Sequence, residues 1–430
     1  MQIAVVGSGI AGLSCAWKLS LAGHQVSLFE ANHYFGGHTN TVDIRVDDQD
    51  LSVDTGFLVF NERTYPELIA LFAELKVPSI ATDMSFSVKV KQGHSNLEWA
   101  GSNLATVFAQ PANLFRPGFW WMLKDILRFN QAATKLARTG SVDHGLSLGN
   151  YLSQHGYSQN FINWYLLPMA ACIWSCPTAQ MLEFPLLSFV RFCDNHGLLQ
   201  ISQRPRWFTV PGGARQYVEK LLEPIPNKYL NSAITRILPG DGNKRPRLCS
   251  ADGEFTFDQI VLACHSDQSS ALLAQAAPQQ TAILNAIPYQ ANYAVLHTDA
   301  SCLPVARSAW SAWNYQSLGT TEPRVCVHYW LNLLQALPVK TPVIVSLNPI
   351  EEPAADKVLA RFDYAHPVFG AAAPAAQQAL REVQGHGGIW FAGAWTGYGF
   401  HEDGLKSGLK VAQQINLLAA GMAAQTRHAA

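Results

Sequence analysis

Ile3-Ala4-Val5-Val6-Gly7-Ser8-Gly9-Ile10-Ala11-Gly12 opens the chain: a short apolar run, then a turn with glycines at 7, 9 and 12. The run predicts a buried parallel strand, and the stretch that follows, to about Ala22, predicts a helix. Gly7 permits the tight turn, Gly9 lets backbone approach a pyrophosphate, and Gly12 allows the helix to sit close on the strand. The phosphates would meet free N–H groups at the helix N-terminus, across Ser8, Ile10 and Ala11. A second strand, Gln25 to Phe29, ends at Glu30, 18 residues after Gly12. A carboxylate there suits a ribose 2′-OH and would repel a 2′-phosphate, which argues against NADP.

The residues after Glu30 bear on which dinucleotide is held. Glu30-Ala31-Asn32-His33-Tyr34-Phe35-Gly36-Gly37-His38-Thr39 resembles the glutathione-reductase-like flavoproteins, in which a double glycine after the ribose acid lines the FAD diphosphate. In amine oxidases of that group an arginine follows the two glycines, and here His38 stands in its place. Val53-Asp54-Thr55-Gly56-Phe57 looks like the segment that brings backbone close to the isoalloxazine ring, which implies contacts from Thr55, Gly56 and Phe57.

At the other end, Gly388-Ile389-Trp390-Phe391-Ala392-Gly393-Ala394 reads as an apolar strand closing on a turn, and a helix is predicted from about Glu402. Amine-oxidase-like and phytoene-desaturase-like flavoproteins end in a similar way, with a helix that opens on small residues such as Gly404-Leu405-Lys406-Ser407-Gly408. N–H groups at that helix start, near His401, Glu402 and Asp403, would stabilise negative charge on reduced flavin. The resemblance puts Gly393 and Ala394 beside the cofactor. Phe400 falls where amine oxidases place a tyrosine of an aromatic cage, so a more apolar substrate is expected. Trp395, Tyr398 and Tyr329 are the other candidate substrate contacts. The loop holds no cysteine where covalently flavinylated relatives carry one, so FAD is expected to be noncovalent.

Between the ends, Val210-Pro211-Gly212-Gly213 and a helix at Tyr217 to Leu222 lead into predicted strands at 233–237, 247–250 and 255–263. The resemblance implies that the strand near Ile234 offers backbone to adenine and that the strand ending at Ala263 runs beneath the dinucleotide fold. Cys264 and His265 are adjacent, and neighbours on an extended chain point to opposite sides, which argues against a catalytic dyad. A general base stays unassigned: His401, His328 and Tyr329 are candidates and no spacing singles one out.

The expected fold class is α/β, a glutathione-reductase-like FAD-binding Rossmann domain with an interleaved α+β substrate domain. The FAD domain is assigned to 1–75, 205–270 and 376–430, with a mainly helical substrate segment at 76–204 and a strand-rich one at 271–375. A chain of 430 residues, 48% hydrophobic and 14% charged, can bury the core this needs. Its net charge of −1 and lack of a polybasic block exclude nucleic acid as the expected partner. Eight scattered cysteines offer no zinc spacing. A strand beginning at Gln2 leaves no room for a signal peptide, so a cytoplasmic location is expected. From Asn113 to Arg138 the sequence is aromatic, basic and amphipathic; such a helix can roof a substrate cavity or lie in the interface of a membrane's inner face.

Along its whole length the chain resembles the amine-oxidase-like flavoproteins associated with cyclopropane fatty-acid synthases. Distinctive pieces are Ile173-Trp174-Ser175, Cys264-His265-Ser266-Asp267-Gln268, Tyr329-Trp330-Leu331-Asn332 and Gly397-Tyr398-Gly399-Phe400-His401-Glu402-Asp403-Gly404. The resemblance implies hydride removal to flavin N5 from an acyl-lipid substrate, methylated or cyclopropanated, and a synthase-like partner enzyme. Oxidation of an amine or other small molecule, and a non-catalytic flavin-binding partner of a lipid-modifying enzyme, are the alternatives.

Overall fold

The strands that read as continuous apolar runs are buried on both faces, as parallel strands between helical layers must be. Four of them, with the polar and largely exposed edge strand Asn227–Tyr229, form one sheet in the order Asn227–Tyr229, Gln25–Phe29, Gln2–Val6, Gln259–Leu262, Ile389–Phe391, every pair parallel. Ile3, Val5, Leu28, Val261 and Ile389 of this sheet are wholly buried. The computed structural model describes all residues except 94, 142–144, 201–203, 243, 274–277, 320–324 and 430.

A second sheet is mixed, ordered Val358–Pro367, Tyr289–His297, Ile344–Leu347, Cys326–Trp330, Trp313–Ser317, Phe86–Gln92, Ser95–Ala100. Its last two strands come from the 76–204 stretch, which thus contributes a hairpin before its helices begin at Leu104. The span 255–263, expected as one strand, is two: Gly253–Thr256 pairs antiparallel with Arg247–Ser250, and Gln259–Leu262 enters the parallel sheet. Asp258 sits at the break and accepts the Gln2 N–H at 2.7 Å, so the chain is turned there by a fixed contact with the first strand. Within the strand-rich stretch, residues 324–330 read as a strand by their apolar and aromatic content; Arg324 lies outside the described residues, and Cys326–Trp330 forms the strand.

One buried carboxylate ties these parts together. Asp54, at the end of the hairpin Thr41–Val46 and Gln49–Asp54, accepts the Thr41 hydroxyl at 2.5 Å, the Ala214 N–H at 3.0 Å and the Gln335 amide at 3.0 Å. Burial pushes its carboxyl up to about 6. The helix Arg215–Leu222 and the short helix Leu331–Leu334 are thereby fixed to the same hairpin end, next to Thr55-Gly56-Phe57.

Candidate functional site

The opening turn is built as its glycines require. A Cβ on Gly7, whose φ is +99°, would lie 2.9 Å from the Ala263 carbonyl oxygen, and one on Gly12 would lie 1.9 Å from the Gly7 oxygen. Strand, turn and the helix Ile10–Leu21 are thus pressed together, with Ala263 beneath them. Gly9 differs: a Cβ there meets nothing within 4 Å. Gly9 is the helix N-cap, with no side-chain cap and no acid in the first turn, so Ile10 and Ala11 begin a helix whose positive end faces open space. Such a cradle fits a pyrophosphate.

The neighbouring loop completes the cradle. The Glu30 carboxylate accepts the Ser8 N–H at 2.9 Å, the Ser8 hydroxyl at 2.5 Å and the Asn32 N–H at 2.9 Å, which places it beside the turn. Ala31, next to it, is exposed. Leu230 to Ser232 wrap this corner, the Ser232 N–H donating to the Glu30 carbonyl at 2.8 Å, and lead into the strand Ile234–Leu238. Gly36 and Gly37 both have positive φ, and a Cβ on Gly37 would lie 3.1 Å from the Gly9 Cα. The double glycine therefore packs directly on the first glycine turn.

His38 and Thr39 extend this loop toward the middle of the molecule. The Phe57 N–H donates to the His38 carbonyl at 2.8 Å, and a Cβ on Gly56 would come within 2.3 Å of that oxygen. Thr55 bonds the Tyr364 hydroxyl at 2.8 Å, and Thr39 shares a short hydrogen bond with the Tyr217 hydroxyl. His38 stacks on Tyr364 with centroids 5.1 Å apart, yet its Nε2 is enclosed without a partner. An unpartnered ring nitrogen beside an open glycine cradle is what a missing polar ligand leaves.

From the far end of the chain, the helix His401–Ala429 packs against the first helix through its small residues. A Cβ on Gly404 would lie 2.9 Å from the Ile10 side chain, and one on Gly408 would lie 2.1 Å from the Ala11 carbonyl. Ser407 accepts the Gly393 N–H at 2.8 Å, which fixes Gly393-Ala394 at the same place. His401 stacks on Phe57 at 3.8 Å and bonds the Tyr217 hydroxyl at 2.7 Å. The opening turn, the double-glycine loop, the 55–57 segment and the closing helix thus converge on one region.

The carboxylates of that helix have other work. Glu402 accepts the N–H groups of Glu67 and Leu68, both at 3.0 Å, capping the helix Pro66–Leu75, and pairs with Lys406 at 3.1 Å. Asp403 accepts the N–H groups of Tyr398 at 3.1 Å and Phe400 at 3.0 Å, holding the loop before the helix. Only the backbone of these two residues is left for a cofactor.

The histidines of the region are uncharged at neutral pH. Burial pushes His38 and His265 down to about 4 and His366 and His401 down to about 3, with neighbouring histidines as the second cause. His38 is therefore uncharged at neutral pH and does not replace an arginine's charge. His265 stacks on Tyr289 at 4.1 Å, while the Cys264 sulfur contacts the Ser269 hydroxyl at 3.2 Å and its thiol is pushed up to about 11 by burial. Adjacent in sequence, the two residues make separate contacts.

Phe400 lies in an apolar cluster. It stacks on Phe192 at 4.8 Å, with Trp174 at 6.2 Å and His196 at 5.7 Å. Burial holds the His196 ring down to about 4, so this ring too is neutral. Tyr398 lies 6.0 Å from Phe192 and is partly exposed. Trp395 is 1% exposed and donates to the Cys264 carbonyl at 3.4 Å, the environment of a core residue. Tyr329 is buried in the second sheet with its ring edge against Trp313 at 4.9 Å. His328 has both nitrogens engaged, by Ser346 at 2.6 Å and Gln316 at 2.8 Å, inside that sheet. Neither His328 nor Tyr329 is free to take a proton from a substrate.

The sequence reading gave no site role to several residues of this region: Tyr217, Tyr289, Tyr364, His366, and the Trp174-Phe192-His196 set. Tyr364 and His366 share a face of the strand Val358–Pro367 by period-two spacing, a signal present in the sequence. The others come together only through tertiary contacts.

Residues 5–75 match the family model of an NAD(P)-binding Rossmann-like domain. Over 245 residues, 55% of this chain and 51% of the other, the sequence is 25% identical to AofH of Mycobacterium tuberculosis, named as a flavin-containing monoamine oxidase. Over 110 residues, 26% of this chain and 20% of the other, it is 34% identical to a 1-hydroxycarotenoid 3,4-desaturase of a Flavobacterium. The match to AofH spans about half the length of that protein. Cyclohexylamine oxidase of Brevibacterium oxydans superposes with a TM-score of 0.70 at 16% identity, over 97% of this chain and 99% of that one. Among the described residues no helix is long and apolar enough to cross a membrane. The N-terminal segment thus matches a Rossmann-like domain, and the chain as a whole shares its fold with solved amine oxidases such as cyclohexylamine oxidase.

Proposed function

We propose that the protein is an FAD-dependent oxidoreductase whose substrate is largely apolar at the reacting carbon, an acyl-lipid chain before an amine. When bound, FAD would supply the acceptor for a hydride at its N5, and with a proton lost from the neighbouring carbon or nitrogen to water or a base the substrate would gain a C=C or C=N bond. The chain's own residues bind, orient and keep the region dry. Gly9 gives the diphosphate close backbone, Gly7, Gly12, Gly36 and Gly37 let the turn and the loop close around it, Glu30 is placed for the ribose, and Thr55-Gly56-Phe57 and the start of the His401 helix border the ring end.

The observation that carries the substrate class is the Trp174-Phe192-His196-Phe400 cluster, aromatic and uncharged at neutral pH. A cationic amine would be desolvated among these rings with only the Asp403 carboxylate, already held by the Tyr398 and Phe400 N–H groups, near by, whereas an alkyl chain gains from burial. The carotenoid desaturase relative favours the same reading. The amine-oxidase reading rests on the likeness to AofH and on partly exposed Tyr398, whose hydroxyl could meet a polar group. A synthase-like partner enzyme is part of the lipid proposal.

Anaerobic mixing of the yellow protein with acyl lipids, including methylated and cyclopropanated ones, and separately with simple amines, tests this. Bleaching of the oxidised-flavin absorbance by lipids is the expected result. Bleaching by amines alone would replace the proposal with the amine reading. Flavin that stays oxidised with every class would favour a non-catalytic role.

A further inference from the structure

Residues 104–139 carry a surface for which the oxidoreductase reading has no use. The helix Pro117–Thr139 buries Phe119, Met122 and Phe129 completely against the helices Leu186–Asn195 and Gln159–Phe161. Its opposite side is apolar too. Phe115 is 85% exposed, Trp121 55% and Trp120 49%, with Leu104, Leu114 and Leu127 also open to solvent. Leu114, Phe115, Pro117, Trp120, Trp121 and Lys124 line a groove of about 460 Å³. Contiguous large apolar side chains of this kind are uncommon on a surface with no partner.

The charges around the groove identify what would cover it. Between Leu104 and Thr139 the basic residues are Arg116, Lys124, Arg128, Lys135 and Arg138, and the sole acid is Asp125. Asp125 is buried and already accepts the Ser158 N–H at 2.9 Å and an Arg128 contact at 3.2 Å. Lys124, Lys135 and Arg138 are exposed, and Lys124 lies over the Trp121 ring at 4.7 Å. In a chain of net charge −1 this is a local excess of positive charge beside exposed tryptophans. Indole rings and lysines side by side match the headgroup level of an anionic bilayer, where the ring enters the acyl boundary and the ammonium meets phosphate.

We propose that this face docks on an anionic lipid bilayer, with Phe115, Trp120 and Trp121 inserted and Lys124, Lys135 and Arg138 on the headgroups. The placement has a consequence for access. The docked helix rests on Leu186–Asn195, and that helix carries Phe192, the stacking partner of Phe400, so the apolar cluster lies one helix layer behind the surface. Docking itself is independent of which substrate is oxidised.

Co-sedimentation of the flavin-loaded full chain with vesicles of phosphatidylglycerol mixed equally with phosphatidylcholine, and with pure phosphatidylcholine, tests the proposal without turnover. Binding is expected to the anionic vesicles and to weaken with added salt. Removing one exposed cation, as in Lys124→Ala or Arg138→Ala, should lower the partition coefficient about five-fold. Phe115→Glu, at the most exposed position, should lower it by about ten-fold or more while leaving flavin content and thermal midpoint unchanged. Absent binding to anionic vesicles, equal binding to neutral ones, or undiminished binding by Phe115→Glu would overturn it. So would a parent dimer that Phe115→Glu converts to monomer while vesicle binding persists, since a second copy would then be the occupant.

Discussion

The opening turn and the aromatic cluster at Phe400 are built in opposite ways. Six consecutive residues, 7 to 12, make the turn, and backbone does the work: two of its three glycines are closed in by main-chain atoms and the third faces open space. The cluster is drawn from Trp174, Phe192, His196 and Phe400, which lie on three separate segments, and side chains do the work. A site made of backbone needs particular residues at fixed local spacing. One made of side chains needs only that distant segments arrive together.

The three glycines offer the largest contrast. Gly12→Val places a methyl-bearing side chain where a Cβ alone would be 1.9 Å from the Gly7 oxygen and 3.1 Å from the Ala263 Cβ. Backbone cannot retreat as a flexible side chain can, so a cost of about 3 kcal/mol or more is expected, read as little or no folded protein. Gly9→Val has free space and an N-cap φ of −64° that valine tolerates. Its apoprotein should keep a thermal midpoint within about 2 °C of the parent while the purified protein is colourless. A yellow Gly9→Val protein would remove the turn from the cofactor's path.

Acid should act on the side-chain half. His38, His265, His366 and His401 are pushed below the ordinary histidine value, so below about pH 6.5 the unfolded chain takes up protons that the folded one refuses. Their contribution is present above that pH and is lost as pH falls toward 4. Each histidine adds at most about 1.4 kcal/mol per pH unit, and less where its ring is partly exposed. Asp54 and Asp403, raised to about 6, tilt the other way, since stability they lend at low pH is lost as pH rises through 6. Four groups outweigh two, so urea midpoints of the apoprotein should fall from pH 7 to pH 5. A midpoint flat over that window would mean that the histidines are hydrated.

How much of this was open to the sequence follows from the same contrast. Four strands of the parallel sheet, the glycine turn, Glu30 and the closing helix were legible because each is a local pattern: a short apolar run, glycines at fixed offsets, a small-residue helix face; the edge strand Asn227–Tyr229, polar and half-exposed, carried no such pattern. The match between Gly404, Gly408 and the first helix was half legible, as the small residues were visible and their partners Ile10 and Ala11 were not. Tyr217 reaching both Thr39 and His401 was not legible at all, because those partners lie 178 and 184 residues away. The reading of 255–263 as one strand failed for a related reason: hydrophobicity runs through it, and the Asp258 contact that turns it is made by the first strand.

Asp403 links the two halves and should give a middling effect. Its carboxylate holds the N–H groups of Tyr398 and Phe400, so Asp403→Ala frees two backbone donors in a partly buried loop. About 1 kcal/mol for each bond sets an expected loss of about 2 kcal/mol, offset in part because burying the carboxylate is itself costly. The urea midpoint measures this. Because the loop carries Phe400, the flavin spectrum should shift as well, whereas a purely structural role would leave the spectrum unmoved.

The smallest change in stability, and the sharpest test of the cluster, is Phe400→Tyr. The added hydroxyl points from a ring stacked 4.8 Å from Phe192 and bordered by Trp174, surroundings rich in aromatic carbon. The His196 ring is one polar neighbour, and its Nδ1 already faces the Phe192 carbonyl at 3.0 Å. If the hydroxyl finds no partner, its desolvation costs about 1–3 kcal/mol, and on the proposed reading it avoids most of that by facing the substrate. Stability should then drop by less than about 1 kcal/mol, while the space an alkyl chain would fill becomes polar. A five-fold or greater fall in kcat/KM for the lipid that bleaches the flavin is the expected outcome, about 1 kcal/mol of transition-state stabilisation lost. An unchanged value would place the reacting carbon away from Phe400, leaving the cluster as packing and separating the two regions in function as well as in construction.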